Sequence, residues 1–490
     1  MSYLAPSRRS GFLRRLVLGS CIVGSCASFD VGRAEAEEYT QVRAAADLRR
    51  AVDFFRTKVG LHGGYVYQTT SDLAQREGEE TVTPTQVWIQ PPATPTVGEA
   101  YLAAYQACGE PYLLEAARET AECLIQGQLR SGGWYVLIEF DAEARRKDFD
   151  YRVDPPGNSD KPKKRRLTTL DDDKTQACLR FLIHLDRALE FKDAAVHECV
   201  RYGLDKLVEA QYPNGAWPQQ FDVPPNPAEF PVRRASYPAE WSRTFPAVSY
   251  TRHYTFNDDT IADVVHLMLE AAEVYGESRY RAAAERAGDF IIAAQMPEPQ
   301  PAWAQQYDAN MHPAWARKFE PPSITGGESQ GVVQILIDLY KSTGEERFLA
   351  PIPPALAYLR KSQLSSDRMA RFYELQTNKP LYFTKQYELT YDDADVPTHY
   401  AFVVGNKVEQ LQQSYDKLRA EGPPAKKPAK TERASLSKKT AAAAEEVARR
   451  LDERGAWIED GKFDGRATGV ITSKTFVKNL QPLARYVGAR

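Results

Sequence analysis

The chain has 490 residues, 43% hydrophobic and 11% aromatic, enough to bury a large core in one sizeable domain or two smaller ones. Its 63 Lys and Arg nearly balance 66 Asp and Glu, for a formal net charge of −3. That balance excludes the strongly basic footprint of a nucleic-acid binder.

The first 36 residues read as an export signal. They carry Arg8, Arg9, Arg14 and Arg15, then an apolar run too short to span a bilayer, then an A-x-A pattern at Ala34 to Ala36. "SRRSGFL" is also close to a twin-arginine signal, and "VGSC" ending at Cys26 to a lipoprotein cleavage site. The mature chain is expected to be exported, without a transmembrane segment, and monomeric. Once the signal is removed, Cys108, Cys123, Cys178 and Cys199 remain; each lies in an apolar helical pattern and none in C-x-x-C, so buried thiols are expected.

From residue 40 onward four stretches echo one another: "VGLHGGYVYQ", "IQGQLRSGGWYVLIEFD", "VEAQYPNGAWPQQFD" and "IAAQMPEPQPAWAQQYD". Trp134, Trp217 and Trp303 mark the last three at intervals of about 85 residues. Between them run paired helical patterns, such as "TVGEAYLAAYQACGEPYLLEAARETAECLI" and "TIADVVHLMLEAAEVYGESRYRAAAERAGDFIIAAQ". Two helices per long repeat point to hairpins arranged in a ring, so residues 40–404 are expected to form an all-α, (α/α) toroid. Short β pieces belong near the aromatic signatures and in "RFYELQTNKPLYF". In such a ring the openings of the repeats converge on one cleft. Residues 405–440, rich in Pro, Lys and Ala, read as a linker, and 441–490 as a small appendage.

Several side chains at these openings could carry chemistry. "LTTLDDDKTQ" sets Asp171, Asp172 and Asp173 side by side. Oxygen-only groups suit a hard cation such as calcium, but three acids before a helix also suit a solvated cap. "FNDDT" places Asn257, Asp258 and Asp259 at the equivalent point of the next repeat, with the same two readings. "HPAWARKFEPPSITGGESQG" holds Arg317 on a loop stiffened by Pro321 and Pro322, where it suits a functional role or an ordinary solvated or salt-bridged one. "MARFYELQTNKPLYF" offers Arg371, Tyr373, Asn378 and Lys379, which suit an anionic ligand or brace the fold. There is no HExxH, P-loop or Ser-His-Asp spacing.

Four ordered blocks, "EAQYPNGAWPQQFD", "HYTFNDDTIADVVHLMLEAAEVYG", "ARKFEPPSITGGESQGVV" and "ARFYELQTNKPLYF", resemble the pectate lyases of polysaccharide lyase family ten. The resemblance spans roughly residues 45–400. It implies an (α/α) toroid and calcium-assisted β-elimination of polygalacturonate, an acidic polysaccharide, with an arginine as base. Carried over, it makes Arg317 the base, Asp171, Asp172 and Asp258 the metal ligands, and Asn257, Asp258, Arg371 and Lys379 the substrate contacts. The chain departs from the family where a "DNGAT"-like sequence is replaced by "DDDKT", which adds a carboxylate and Lys174. Two other readings stay open: a hydrolase using Asp171 and Asp258 as acid and base, and a glycan-binding toroid without turnover.

Overall fold

The computed structural model describes residues 38–156, 164–425 and 434–490. The expected export signal and part of the expected linker lie outside the described residues. Residues 39–490 form one compact unit. Its helices are α1 (Gln41–Phe54), α2 (Thr94–Cys108), α3 (Pro111–Gly127), α4 (Ala142–Asp148), α5 (Lys174–Ala188), α6 (Ala194–Ala210), α7 (Thr260–Tyr275), α8 (Ser278–Ala294), α9 (Gly326–Thr343), α10 (Ile352–Ser362), α11 (Val408–Glu421), α12 (Lys438–Ala448) and α13 (Ser473–Val487).

Apart from the short α4, the helices alternate between an inner and an outer layer. In the inner layer α13, α2, α5, α7, α9 and α11 follow one another as neighbours. In the outer layer α3, α6, α8 and α10 back α2, α5, α7 and α9, while α1 and α12 lie against α13 and each other. This is the all-α, (α/α) toroid expected from the repeats.

The local causes are visible in the sequence. In α7, Ile261, Val264, Val265, Met268 and Ala271 recur at helical spacing and are buried. Gly109, Gly276 and Gly344 end α2, α7 and α9 in the left-handed conformation, with φ of 79°, 69° and 75°. Short antiparallel bridges tie the chain entering each inner helix to the chain leaving its outer partner: Gln86–Trp88 with Leu137–Glu139, Thr168–Thr169 with Gln220–Phe221, Tyr254–Thr255 with Gln306–Tyr307, and Ile324–Thr325 with Phe372–Tyr373.

The tryptophan signatures lock these bridges. Trp134, Trp217 and Trp303 are fully buried. Their indole N–H groups each donate over 2.8 Å to a carbonyl near the end of an outer helix, at Leu124, Leu207 and Ile291. A Trp217→Ala variant is expected to lose about 3–5 kcal/mol of stability, measured as a shift in the urea midpoint.

The domain boundary at 404 is corrected by the structure. Trp457, buried, repeats the same bond to Val447 over 2.8 Å at the end of α12. Strand Arg466–Thr472 then pairs antiparallel with Gln68–Thr70, and α13 packs on α1 and α2. Helices α11, α12 and α13 are therefore part of the toroid and not of a linker or an appendage. One hairpin pairs an inner helix from the C-terminal end with an outer helix from the N-terminal end.

Residues 223–252, the long loop before the second acidic turn, are fastened to the ring. Trp315 donates its indole N–H to the Ser242 carbonyl over 2.9 Å, and Trp241 and Phe245 pack on a second apolar cluster that includes Trp315, Phe319 and Phe372. Arg243 pairs with Glu374, Arg252 lies 3.3 Å from Asp222 and Arg233 donates to Asn310 over 2.9 Å. Among the described residues no helix is long and apolar enough to cross a membrane. Cys123, Cys178 and Cys199 are buried free thiols, and Cys108 is a partly buried one.

Candidate active site

The bridging strands deliver the chain into two matching turns, Asp171–Asp173 before α5 and Asn257–Asp259 before α7. Each holds two successive left-handed residues: Asp172 and Asp173 at φ of 50° and 56°, Asp258 and Asp259 at 47° and 54°. That conformation costs roughly 1–2 kcal/mol per residue, so four such aspartates are a reserve of strain of the kind found at functional sites.

The cap reading of these turns is corrected. An N-cap side chain reaches the first N–H groups from an extended backbone. Asp173 and Asp259, at the cap positions, are left-handed and make no cap bond. The Thr260 hydroxyl donates instead to the Asn257 carbonyl over 2.8 Å.

The two turns pack together, so that one carboxylate oxygen each from Asp171, Asp172 and Asp258 lies within 4.8 Å of the others. Gln219 donates to Asp171 over 2.7 Å and Gln90 to Asp172 over 3.2 Å. The Asn257 side-chain amide donates its N–H to Asp258, while its Oδ1 is buried and unpartnered. Enclosure in the cleft, then the charges of Asp171 and Asp172, push the Asp258 carboxyl up to about 7 against the pull of Arg317. Three crowded carboxylate oxygens are a donor set that suits a hard cation, which binds oxygens at about 2.3–2.6 Å. One side chain competes for that position. The ammonium of Lys174 lies 2.9 Å from Asp172 and 3.5 Å from Asp171.

Facing these acids are two arginines. Arg317 donates from Nε and Nη2 to the two oxygens of Glu320 over 2.8 and 2.5 Å, and its backbone N–H adds a third bond of 3.0 Å. Burial disfavours the charged guanidinium, but the fully buried Glu320 outweighs that and holds Arg317 more firmly protonated than a free arginine. The Tyr400 hydroxyl donates to Glu320 over 2.9 Å. Its ring lies 5.5 Å from the Arg317 guanidinium and 4.8 Å from that of Arg371. Arg371 is fixed by Glu328 at 3.1 Å and by the Ala401 carbonyl at 2.8 Å. Asp258, Glu328 and Arg371 line a common cleft of about 510 Å³ with Asp263 and His266.

Of the residues singled out in the sequence, Asp171, Asp172, Asn257 and Asp258 gather at one point, with Arg317 and Arg371 beside Asp258. Lys379 belongs to a different group. Its ammonium lies 5.2 Å from the Tyr391 ring, and Tyr391 bonds in turn to Glu374 and Arg243. Nothing in the sequence marks Tyr400, since a lone tyrosine in "PTHYAF" carries no pattern. Gln219 lies inside the "WPQQFD" signature, and Glu320 stands at i+3 from Arg317, a spacing that could have marked the pair.

The inner layer is also stapled electrostatically. His184 of α5 lies 2.9 Å from Glu99 of α2 and 2.5 Å from Glu270 of α7. Burial lowers its pKa, but the two carboxylates overcome this and raise it from 6.5 to about 9. Because the folded state favours the charged imidazolium, the stabilisation is complete below pH 6.5 and lost as pH rises through about 9. His184→Gln is expected to remove that part of the alkaline fall in Tm, read from melts across this range.

Residues 145–368 match the family described as pectic acid lyase. The match contains three of the four sequence blocks, and the fourth, around Arg371, begins just beyond it. No curated protein matches the sequence. Among solved structures, the family 10 polysaccharide lyase from Cellvibrio cellulosa is 21% identical with a TM-score of 0.43, over 62% of this chain and 92% of that one. A mutant of that lyase in complex with trigalacturonic acid is 19% identical with a TM-score of 0.44, over 67% and 98%. The cellobiose 2-epimerase from Bacillus thermoamylovorans B4167 is 13% identical with a TM-score of 0.42, over 90% and 98%.

Proposed function

We propose that this chain, a relative of the pectic acid lyases across residues 145–368, is an exported pectate lyase that cleaves polygalacturonate by β-elimination. The observation that carries this reading is the meeting of the two acidic turns, with Asp258 within the electrostatic reach of both the Glu320-paired Arg317 and the Glu328-paired Arg371.

A uronate offers a carboxylate and a weakly acidic proton at C5. Elimination removes that proton, forms the C4=C5 double bond from its electron pair and breaks the C4–O4 bond, the departing oxygen taking a proton from solvent. Arg371 is suited to the substrate carboxylate, since its fork binds a planar anion in two places. Arg317 is assigned the C5 proton. Glu320, bonded at Nε and Nη2, fixes the direction of the fork while favouring its charged form, so the role requires the guanidinium to give up a proton only transiently, at the bound substrate, which a free arginine would not do at ordinary pH. Asp171, Asp172 and Asp258 would hold calcium, whose charge, when bound, acidifies C5 by neutralising the uronate carboxylate.

Mass spectrometry of a polygalacturonate digest tests the reaction type. Products lighter by one water than galacturonate oligomers are expected, whereas ordinary oligomers would mean hydrolysis by the paired carboxylates.

A second reading, glycan binding without turnover, is favoured by Lys174 in the acidic cluster and by the firm protonation of Arg317. It predicts retained binding of polygalacturonate with no product at any calcium concentration.

A further inference from the structure

Lys174 is in an unusual place for a lysine. Such side chains normally bury the stem and send the ammonium to water, yet this one is 3% exposed. It opens α5, where the helix dipole disfavours a cation. Burial and dipole both oppose the charge. What offsets them is the acidic turn: Nζ lies 2.9 Å from Asp172 Oδ2, 3.5 Å from Asp171 Oδ2 and 3.3 Å from the Asp171 carbonyl. The same two carboxylates belong to the cluster that fits a divalent ion. Asp258, whose amide neighbour Asn257 keeps a buried unpartnered oxygen, completes that cluster without a bond to the lysine among those described.

We propose that Lys174 is a tethered counter-cation that competes with the divalent ion for Asp171 and Asp172, and so sets how much calcium the cleft requires. The inference deepens the lyase reading and rests on it for the identity of the ion. A divalent ion and an ammonium sharing these oxygens repel each other at short range in a partly dehydrated site. Calcium binding therefore has to expel the ammonium from the cluster, and the cost appears as weaker affinity. An incoming uronate carboxylate gives the displaced ammonium a new partner, which couples metal binding to substrate binding.

Direct titration of calcium into the folded protein without substrate, by calorimetry, tests this independently of turnover. Lys174→Met, which keeps the apolar stem, and Lys174→Ala, checked for folding by circular dichroism and thermal melts, are both expected to bind calcium at least about tenfold more tightly than the parent. Adding Asp258→Asn to Lys174→Met is expected to abolish the gain, which places the ion in this cluster. Unchanged or weaker affinity in the folded Lys174→Met variant overturns the proposal, as does a gain that survives Asp258→Asn. If the gain is seen but no variant releases unsaturated product, the lyase reading fails and the competition stands.

Discussion

Arg317→Lys retains polygalacturonate binding and loses roughly 10²- to 10⁴-fold in kcat, the range of a positioned proton-transfer group. Lysine preserves the charge beside Glu320, so the change removes the fork geometry without leaving a buried carboxylate alone. Arg317→Ala is the poorer probe. Glu320 is fully buried, and stripping its partner costs about 3–5 kcal/mol of stability, which would mix unfolding with lost chemistry. Steady-state kinetics on pectate, with binding measured separately, decide the point. A near-parental kcat with a raised KM would reduce Arg317 to a substrate contact.

Asp258→Asn raises the calcium concentration needed for half-maximal activity by at least about 10- to 100-fold, the loss caused even by removing outer partners of metal ligands. The argument is one of charge. Asp258 is pushed up to about 7 by enclosure and by Asp171 and Asp172, the signature of three acids assembled beyond what the protein neutralises alone. Taking away one charge lowers attraction for the ion while leaving the side chain's shape. Activity against calcium concentration is the check, and an unmoved half-saturation point would remove Asp258 from the metal site.

The helical hairpins and the alignment of the two acidic turns were legible because both depend on local patterns: apolar spacing along α7, Gly-Glu at the ends of α2, α7 and α9, and acids just ahead of α5 and α7. The conformation of those turns was not legible. Acidic residues before a helix usually mean a cap, and only the sign of φ at Asp173 and Asp259 shows that their side chains cannot reach the first N–H groups. Closure of the ring escaped for a different reason: one hairpin joins α13 from the C-terminal end to α1 from the N-terminal end, so no continuous stretch displays it. A signal did exist in Gly455-Ala456-Trp457, which repeats Gly215-Ala216-Trp217; both glycines sit at a φ of 94°. At Gly215 an added Cβ would fall 2.0 Å from the Arg286 carbonyl oxygen. Lys379 is near Arg371 in sequence, but the intervening chain runs through strand Phe372–Tyr373 and a turn into Pro380–Phe383, and the lysine stands by Tyr391.

The most direct measurement is ultraviolet absorbance of polygalacturonate incubated with the purified protein, first with calcium and then with a chelator. Unsaturated uronide ends absorb where the intact polymer does not. The expected result is a steady rise that stops when calcium is removed and resumes when it is restored. A flat trace at every calcium concentration, from protein that still binds the polymer, would contradict a catalytic role for Arg317 and the cluster of Asp171, Asp172 and Asp258.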